Sequence, residues 1–118
     1  MNSFHEYTEP IARLVEQQFP DGVENDDIVF TALGLAGEAG EVAEKVKKLW
    51  RNQGKTKGSQ LTDEEVKGLE SELGDCLWYV NATARRMGSS LQRVAANNLA
   101  KVADRTARGV VRSQGDNR

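Results

Sequence analysis

Two pairs of acidic residues have the spacing that places both members of a pair on one side of a helix. Glu38 and Glu41 form the first pair, and Glu72 and Asp75 form the second. Residues three apart are neighbours on a helix surface. Carboxylates held close together raise one another's pKa, and a hard divalent cation with oxygen ligands relieves that repulsion, with Mg²⁺ ahead of Ca²⁺. The two pairs predict a metal site, and solvated surface acids are the alternative interpretation.

The apolar residues of the same two segments indicate how the acidic pairs would meet. At about 100° per residue, eight apolar residues of the first segment fall on one arc, and Glu38 lies at its edge with Glu41 about 60° further out. Seven apolar residues of the second segment form a similar arc that Glu72 and Asp75 flank. The first arc comprises Ala32, Leu35, Ala36, Ala39, Val42, Ala43, Val46 and Leu49, and the second comprises Val66, Leu69, Leu73, Cys76, Leu77, Val80 and Ala84. Antiparallel packing of the two arcs would bury them and bring the four carboxylates together.

Positive charge is concentrated in segments that differ from the acidic ones. Residues 1–44 hold ten acidic side chains and one basic side chain, whereas residues 45–58 hold six basic side chains and no acidic one. Further along, Asn98, Lys101 and Arg105 fall within about 60° of one another on a helix. Such donors suit phosphate oxygens. The chain thus has groups for a metal and a phosphate together, although each basic block alone is equally typical of a solvated helix face.

Capping and breaking residues predict four helices that position these groups. Ser3 and Thr62 begin helices with an acidic residue in capping-box spacing, and Gly54 ends a helix before a basic loop. The predicted helices span about residues 3–19, 28–52, 62–87 and 90–108, the last of them following Ser89. No segment alternates with a period of two. The predicted fold class is therefore all-α.

Length and composition restrict the class of protein. The 118 residues, 38% of them hydrophobic, predict a single domain over residues 1–118 with a polar tail at about 109–118. Cys76 is a lone cysteine in an apolar pattern, which predicts a reduced packing thiol. No apolar stretch reaches the roughly 18–20 residues that span a membrane, so we expect a cytoplasmic protein. The net charge of −2 argues against binding to a nucleic-acid polymer.

Residues 34–48, GLAGEAGEVAEKVKK, followed by residues 72–80, ELGDCLWYV, resemble the MazG-like all-α nucleoside triphosphate pyrophosphohydrolases. In that family Glu-x-x-Glu, a spacer and Glu-x-x-Asp form the metal motif. The resemblance covers most of residues 28–118. Many members carry two consecutive acids at the start of the motif, whereas Gly37 precedes Glu38 here. The resemblance implies a four-helix bundle that assembles as a homodimer or as a dimer of dimers.

The resemblance also implies a cofactor and roles for individual residues. Mg²⁺, with Mn²⁺ as a substitute, would be held by four ligands, and one of them, Glu41, is the candidate general base. A basic residue among Lys45, Lys48 and Arg51 would help to bind phosphates, and Lys48 is the one we select. The metal ligands implied are Glu38, Glu41, Glu72 and Asp75, and the other substrate-binding residues are Asn98, Lys101, Arg105 and Tyr79.

The activity implied is hydrolysis of a (deoxy)nucleoside triphosphate to the monophosphate and pyrophosphate, in removal of unwanted nucleotides. One alternative is a phosphoribosyl-ATP pyrophosphohydrolase, which has a similar fold and metal motif. Another is a catalytically silent helical binding module. The GLAGEAGE segment and the extended C-terminal sequence favour the first. The four acids disfavour the last, because a binding module has no need for costly charges beside its core.

Overall fold

The computed structural model describes residues 3–18 and 27–109, and over those residues all regular structure is helical. The predicted all-α class is confirmed. Residues 19–26 and the tail from residue 110 onward lie outside the described residues, so the predicted end of the first helix at Phe19 falls among them. The helices are α1 (Phe4–Gln18), α2 (Val29–Gln53), α3 (Asp63–Arg86) and α4 (Leu91–Arg108), with a short 3₁₀ helix at Gly58–Gln60.

The predicted capping box begins α3. The Thr62 hydroxyl accepts a hydrogen bond from the Glu65 backbone N–H at 3.2 Å, and the Glu65 carboxylate accepts one from the Thr62 backbone N–H at 3.0 Å. These bonds satisfy backbone donors that have no partner within the helix. The Ser3 hydroxyl similarly accepts from the Glu6 backbone N–H at 3.3 Å at the start of α1.

The predicted start of α4 is wrong by one residue. Its cap is Ser90, which accepts a hydrogen bond from the Arg93 backbone N–H at 3.1 Å. Ser89 is not the cap because its backbone N–H donates to the Ala84 carbonyl at 2.8 Å. That bond completes the end of α3, where Gly88 adopts a left-handed conformation with φ of 75°. The motif that ends α3 therefore uses Ser89, and α4 begins after it.

The segment between α2 and α3 is held in place at both ends. Gly54 ends α2 as predicted, with φ of 65°, and its N–H donates to the Trp50 carbonyl at 2.9 Å. The predicted basic loop contains the 3₁₀ turn, which sequence patterns did not indicate. The Gln60 side chain stabilises this turn by accepting hydrogen bonds from the backbone N–H groups of Thr56 and Lys57, at 2.9 Å and 3.0 Å.

The helices α2 and α3 pack antiparallel along most of their lengths. Near the start of α2 the Arg86 guanidinium donates to the Asp27 carbonyl at 2.9 Å, and near its end the Gln53 amide donates to Glu65 at 3.1 Å. Residue numbers therefore fall along α3 in the direction in which they rise along α2. Helix α4 contacts α3, and α1 contacts α4. None of the helices described is long and apolar enough to cross a membrane.

The predicted burial of the apolar arcs is wrong for much of α2 and α3 within a single chain. On α2, Leu35, Val42 and Leu49 are half-buried, whereas Val46 is 46% exposed. Helix α2 packs against α3 and α4 packs against α3, yet within the described residues this packing leaves part of both arcs exposed. The fully buried side chains among the described residues are Thr31, Asn81, Ala84 and Leu91. Large apolar residues that stay exposed include Phe30, Leu33, Trp50, Leu73 and Leu99.

Candidate metal centre

Three carboxylates from α2 and α3 meet where the two helices pack. Glu38 comes from α2, and Glu72 and Asp75 come from α3. One oxygen of each lies within 4.8 Å of the others. Glu38 and Glu72 are half-buried and Asp75 is exposed, so the cluster is held by the packed helices but open on one side.

A glycine opposite a tyrosine allows the two helices to approach closely beside this cluster. Gly34 lies one turn before Glu38, and Tyr79 lies one turn after Asp75. A β-carbon at Gly34 would overlap the Tyr79 ring, so this ring lies directly against the backbone of α2. The ring also makes an edge-on contact with Trp78, with centroids 4.9 Å apart and planes at 80°. Tyr79, predicted to contact nucleotide, is therefore half-buried, with its ring packed between α2 and α3.

The electrostatic environment of Glu38 shows the repulsion that the sequence predicts. Partial burial raises the pKa of the Glu38 carboxyl, and the negative charges of Asp75, Glu72 and Glu41 raise this pKa further. Both causes disfavour the ionised carboxylate. A bound cation would reverse this effect, because positive charge close to a carboxylate favours the ionised form.

Glu41 lies beside the cluster and outside it. Its charge acts on Glu38, but it is exposed and it is not among the three residues whose oxygens lie within 4.8 Å of one another. The structure therefore brings together three of the four predicted ligands. The helical phase of Glu41, about 60° beyond Glu38 and away from the apolar arc, already contained the signal for this difference.

Lys45 provides a positive charge next to the cluster. Its ammonium lies 3.1 Å from the Glu72 carboxylate and donates a hydrogen bond to the Gly68 carbonyl at 3.3 Å. Sequence reasoning offered Lys45 only as one of several basic residues for phosphate. Its partner on α3 is 27 positions away along the chain, and helical spacing within one element cannot indicate such a contact.

Tyr7 brings α1 into the neighbourhood of the same acids. Burial raises the pKa of the Tyr7 phenol, and the negative charge of Asp75 raises the pKa further, which places the phenol within electrostatic range of the cluster. Sequence analysis did not single out Tyr7. The pattern of α1 contains no motif that would have found it, because the interaction depends on how α1 lies relative to α3.

A cavity of about 240 Å³ lies between α2 and α3 on the far side of Lys45 from the cluster. Lys45, Lys48 and Leu49 line it on α2, and Gly68 and Leu69 line it on α3. Lys48, predicted to bind phosphate, is exposed and lies 3.7 Å from Glu44. Glu65 and the amides Asn52 and Gln53 complete the lining, so the cavity combines two leucines with basic, acidic and amide side chains.

The predicted phosphate-binding residues of α4 lie on a different helix from those that form the cavity. Asn98 and Lys101 are exposed and Arg105 is half-buried. All three belong to α4, as predicted, and α4 packs against α3 and α1. The residues that line the cavity all come from α2 and α3, so the α4 stripe is separate from it in the described part of the chain.

The fold and the site define an all-α protein in which an antiparallel helix pair holds an acidic cluster suited to a divalent cation. A family model described as the MazG nucleotide pyrophosphohydrolase domain matches residues 30–110, which include α3, α4 and all of α2 except Val29. The chain belongs to this family, and the resemblance on which the sequence-based predictions depend is confirmed.

One relative of known sequence is "Gene 37 protein" of Mycobacterium phage L5. It is 41% identical to this chain over 93 residues, which are 79% of this chain and 78% of the relative. Its name describes no activity. No solved structure matches the chain.

Proposed function

We propose that the protein hydrolyses a (deoxy)nucleoside triphosphate to the monophosphate and pyrophosphate, with Mg²⁺ as cofactor and Mn²⁺ as a substitute, in removal of unwanted nucleotides. The observation that carries this proposal is the cluster of Glu38, Glu72 and Asp75, whose oxygens lie within 4.8 Å of one another in a chain of the MazG family. Membership of that family supports a nucleotide substrate and cleavage of a phosphoric anhydride bond. The proposed enzyme is a single domain over residues 1–118.

The donor set fits a magnesium ion. An octahedral Mg²⁺ with oxygen ligands at about 2.1 Å holds opposite ligands roughly 4.2 Å apart and adjacent ligands roughly 3.0 Å apart. The cluster oxygens lie within 4.8 Å of one another, so they would move closer together to share one ion. Small side-chain rotations would complete the approach. The raised pKa of the Glu38 carboxyl, caused by burial and by the neighbouring acids, supports the proposal, because a bound cation would offset this repulsion.

The chemistry needs neutralised phosphates, an activated water and a stabilised leaving group. A carboxylate-held Mg²⁺ supplies charge neutralisation and lowers the pKa of bound water. We assign Glu41, the acid beside the cluster whose oxygens stay outside it, as the general base that accepts a proton from the attacking water. We also assign it as a ligand that can join the set by rotation of its exposed side chain.

The basic side chains act on the triphosphate. We assign Lys101 and Arg105, with Asn98, to phosphate oxygens, because charged donors form the strongest hydrogen bonds to such groups. Lys48 contributes from the wall of the cavity. We assign the solvent-accessible part of the half-buried Tyr79 side chain to contact with the nucleotide.

A homodimer or a dimer of dimers supports the same function. Large apolar side chains are exposed on several helices, including Leu33 at 67% and Leu99 at 71%. A single chain seldom leaves so much apolar surface in water, and a second copy of the chain is the simplest cover.

The experiment that tests the proposal is an assay of pyrophosphate release from a panel of ordinary and damaged nucleoside triphosphates, in ribo and deoxy forms. Each reaction is run with Mg²⁺, with Mn²⁺ and with EDTA, and the nucleotide product is identified. The proposal predicts metal-dependent formation of the monophosphate. If every nucleoside triphosphate survives, phosphoribosyl-ATP is tested next. Activity there would favour the histidine-biosynthesis enzyme, and its absence would favour the silent binding module.

A further inference from the structure

Lys45 is a basic side chain in direct contact with the carboxylate cluster. The Lys45 ammonium lies 3.1 Å from Glu72, and it also donates to the Gly68 carbonyl at 3.3 Å. Both partners belong to α3, so Lys45 links the two helices from α2. The side chain of Glu72 is 17% exposed and that of Lys45 is 43% exposed, so the carboxylate end of this ion pair is partly buried while the lysine end is open to solvent.

The neighbouring lysine shows that this arrangement is particular to position 45. Lys47 lies two residues further along α2, and its ammonium is 3.1 Å from Glu44 on the same helix. Glu44 is not a member of the cluster. The two lysines therefore carry the same charge on the same helix, but Lys45 pairs with a cluster carboxylate and Lys47 pairs away from it.

The Lys45 ammonium reduces the net negative charge that the carboxylate cluster presents to a divalent cation. Three carboxylates carry three negative charges, and Lys45 offsets one of them at Glu72. A cation bound by the same carboxylate would lie about 5 Å from the ammonium, given metal–oxygen distances of about 2.1 Å. Like charges at such separation repel. The cation and the lysine thus compete for Glu72.

We propose that Lys45 is an internal counter-cation of the metal site, which holds Glu72 while the site is free of metal and weakens the binding of a divalent cation. This inference rests on the proposed function in one respect, because it takes the carboxylate cluster to be a metal site. Lys45 is a positioning residue in this proposal, since it acts on the metal through Glu72. Removal of its charge therefore strengthens metal binding, whereas a lysine that only supported the fold would weaken binding when removed.

The test compares Mg²⁺ affinity in variants that separate charge from structure. Lys45→Met removes the charge and retains an unbranched side chain, and Lys45→Gln removes the charge and retains a donor for the Gly68 carbonyl. Lys45→Arg retains the charge. Lys47→Met is the matched control, because it changes the net charge equally but alters a pair outside the cluster. Isothermal titration with Mg²⁺ in the absence of nucleotide gives each Kd, and circular dichroism in EDTA checks the helical content.

We expect Mg²⁺ to bind Lys45→Met and Lys45→Gln roughly fivefold to tenfold more tightly than the wild-type protein, from the repulsion of a unit charge about 5 Å from a divalent ion after screening by salt. Lys45→Arg and Lys47→Met should bind as the wild-type protein does. Unchanged or weaker binding by both neutral variants, with helical content preserved, would overturn the inference while leaving the proposed metal site intact. If the wild-type protein itself shows no saturable binding, both the metal site and this inference fail.

Discussion

The contact between Gly34 and Tyr79 gives a sharp test of how α2 and α3 hold the carboxylates. Gly34→Ala places a methyl group where the Tyr79 ring lies. Gly37→Ala is the matched change three residues further along α2, where an added β-carbon has no atom within 4 Å in the described structure. Both substitutions replace a helical glycine by alanine, so both gain about 1 kcal/mol of helix propensity. That gain cancels when the two variants are compared.

The difference between the variants therefore measures the overlap with Tyr79. Adding atoms to a packed contact costs about 1–3 kcal/mol. We expect the free energy of unfolding of Gly34→Ala to be lower than that of Gly37→Ala by about this amount. Urea denaturation followed by circular dichroism measures both values. Because the overlap with Tyr79 would push α2 away from α3, which carries Glu72 and Asp75, Gly34→Ala should also weaken Mg²⁺ binding, whereas Gly37→Ala should not.

A second substitution separates the contact from other effects. When Tyr79→Ala removes the ring, Gly34→Ala should become stabilising by about 0.5–1 kcal/mol, as expected for a glycine in an unobstructed helix. Gly34→Ala should thus be neutral to destabilising when the ring is present and stabilising when it is absent. Equal stabilisation by Gly34→Ala with and without the ring would refute the reasoning that the ring against Gly34 sets the helix spacing.

Three further predictions concern other parts of the molecule. The pKa of Glu65 is lowered to about 2, mainly by the hydrogen bond from Lys55. The ionised carboxylate therefore contributes its full stabilisation above the ordinary pKa of 4.5, and this stabilisation is lost as the pH falls toward 2. The difference in urea midpoint between the wild-type protein and Glu65→Gln should shrink between these two pH values, and a constant difference would contradict this prediction. Lys101→Ala should raise KM for the triphosphate, or lower kcat if the contact between Lys101 and the phosphate tightens in the transition state. Lys67→Ala, which changes an exposed lysine of α3, is the control, and unchanged kinetics in Lys101→Ala would remove Lys101 from the site. Light scattering should give a molar mass of two or four times the chain mass of 13.0 kDa. If α4 forms an interface between chains, Leu99→Asp should lower the measured molar mass. A wild-type protein with the mass of one chain would refute the proposed assembly.

Local sequence signals predicted the helices well because they act within a few residues. Thr62 and Glu65 form the expected capping box, and Gly54 ends α2 in the left-handed conformation. These short-range signals could not decide where α4 begins. Ser89 and Ser90 are both acceptable caps, and only the hydrogen bond from Ser89 to Ala84 across the turn decides between them.

Helical periodicity predicted which faces are apolar but not what covers them. It placed Val46 and Leu73 on arcs expected to be buried, and both remain exposed in the single chain. Periodicity reports the side of a helix on which apolar residues lie, whereas burial depends on every element or partner that packs there. An assembly of chains remains a prediction for this reason.

The carboxylate cluster was predictable because the phases of its members are fixed by short spacings. Glu72 and Asp75 are three residues apart and must share a side of α3. The ion pair of Lys45 and the position of Tyr7 were not predictable, because each depends on contacts between different helices. The spacing of residues within one helix therefore predicts which acids lie together, but it does not predict which side chains of other helices contact them.

The measurement that most directly tests the account is a comparison of Glu72→Gln with Glu70→Gln. Glu72 belongs to the cluster, and Glu70 is an exposed acid on the same helix outside it. Thermal stabilisation by Mg²⁺ and release of pyrophosphate are measured on both variants and on the wild-type protein. We predict that Glu72→Gln loses both properties with its helical content intact, while Glu70→Gln keeps both. Metal-dependent turnover that survives in Glu72→Gln would contradict the assignment of the cluster as the metal centre.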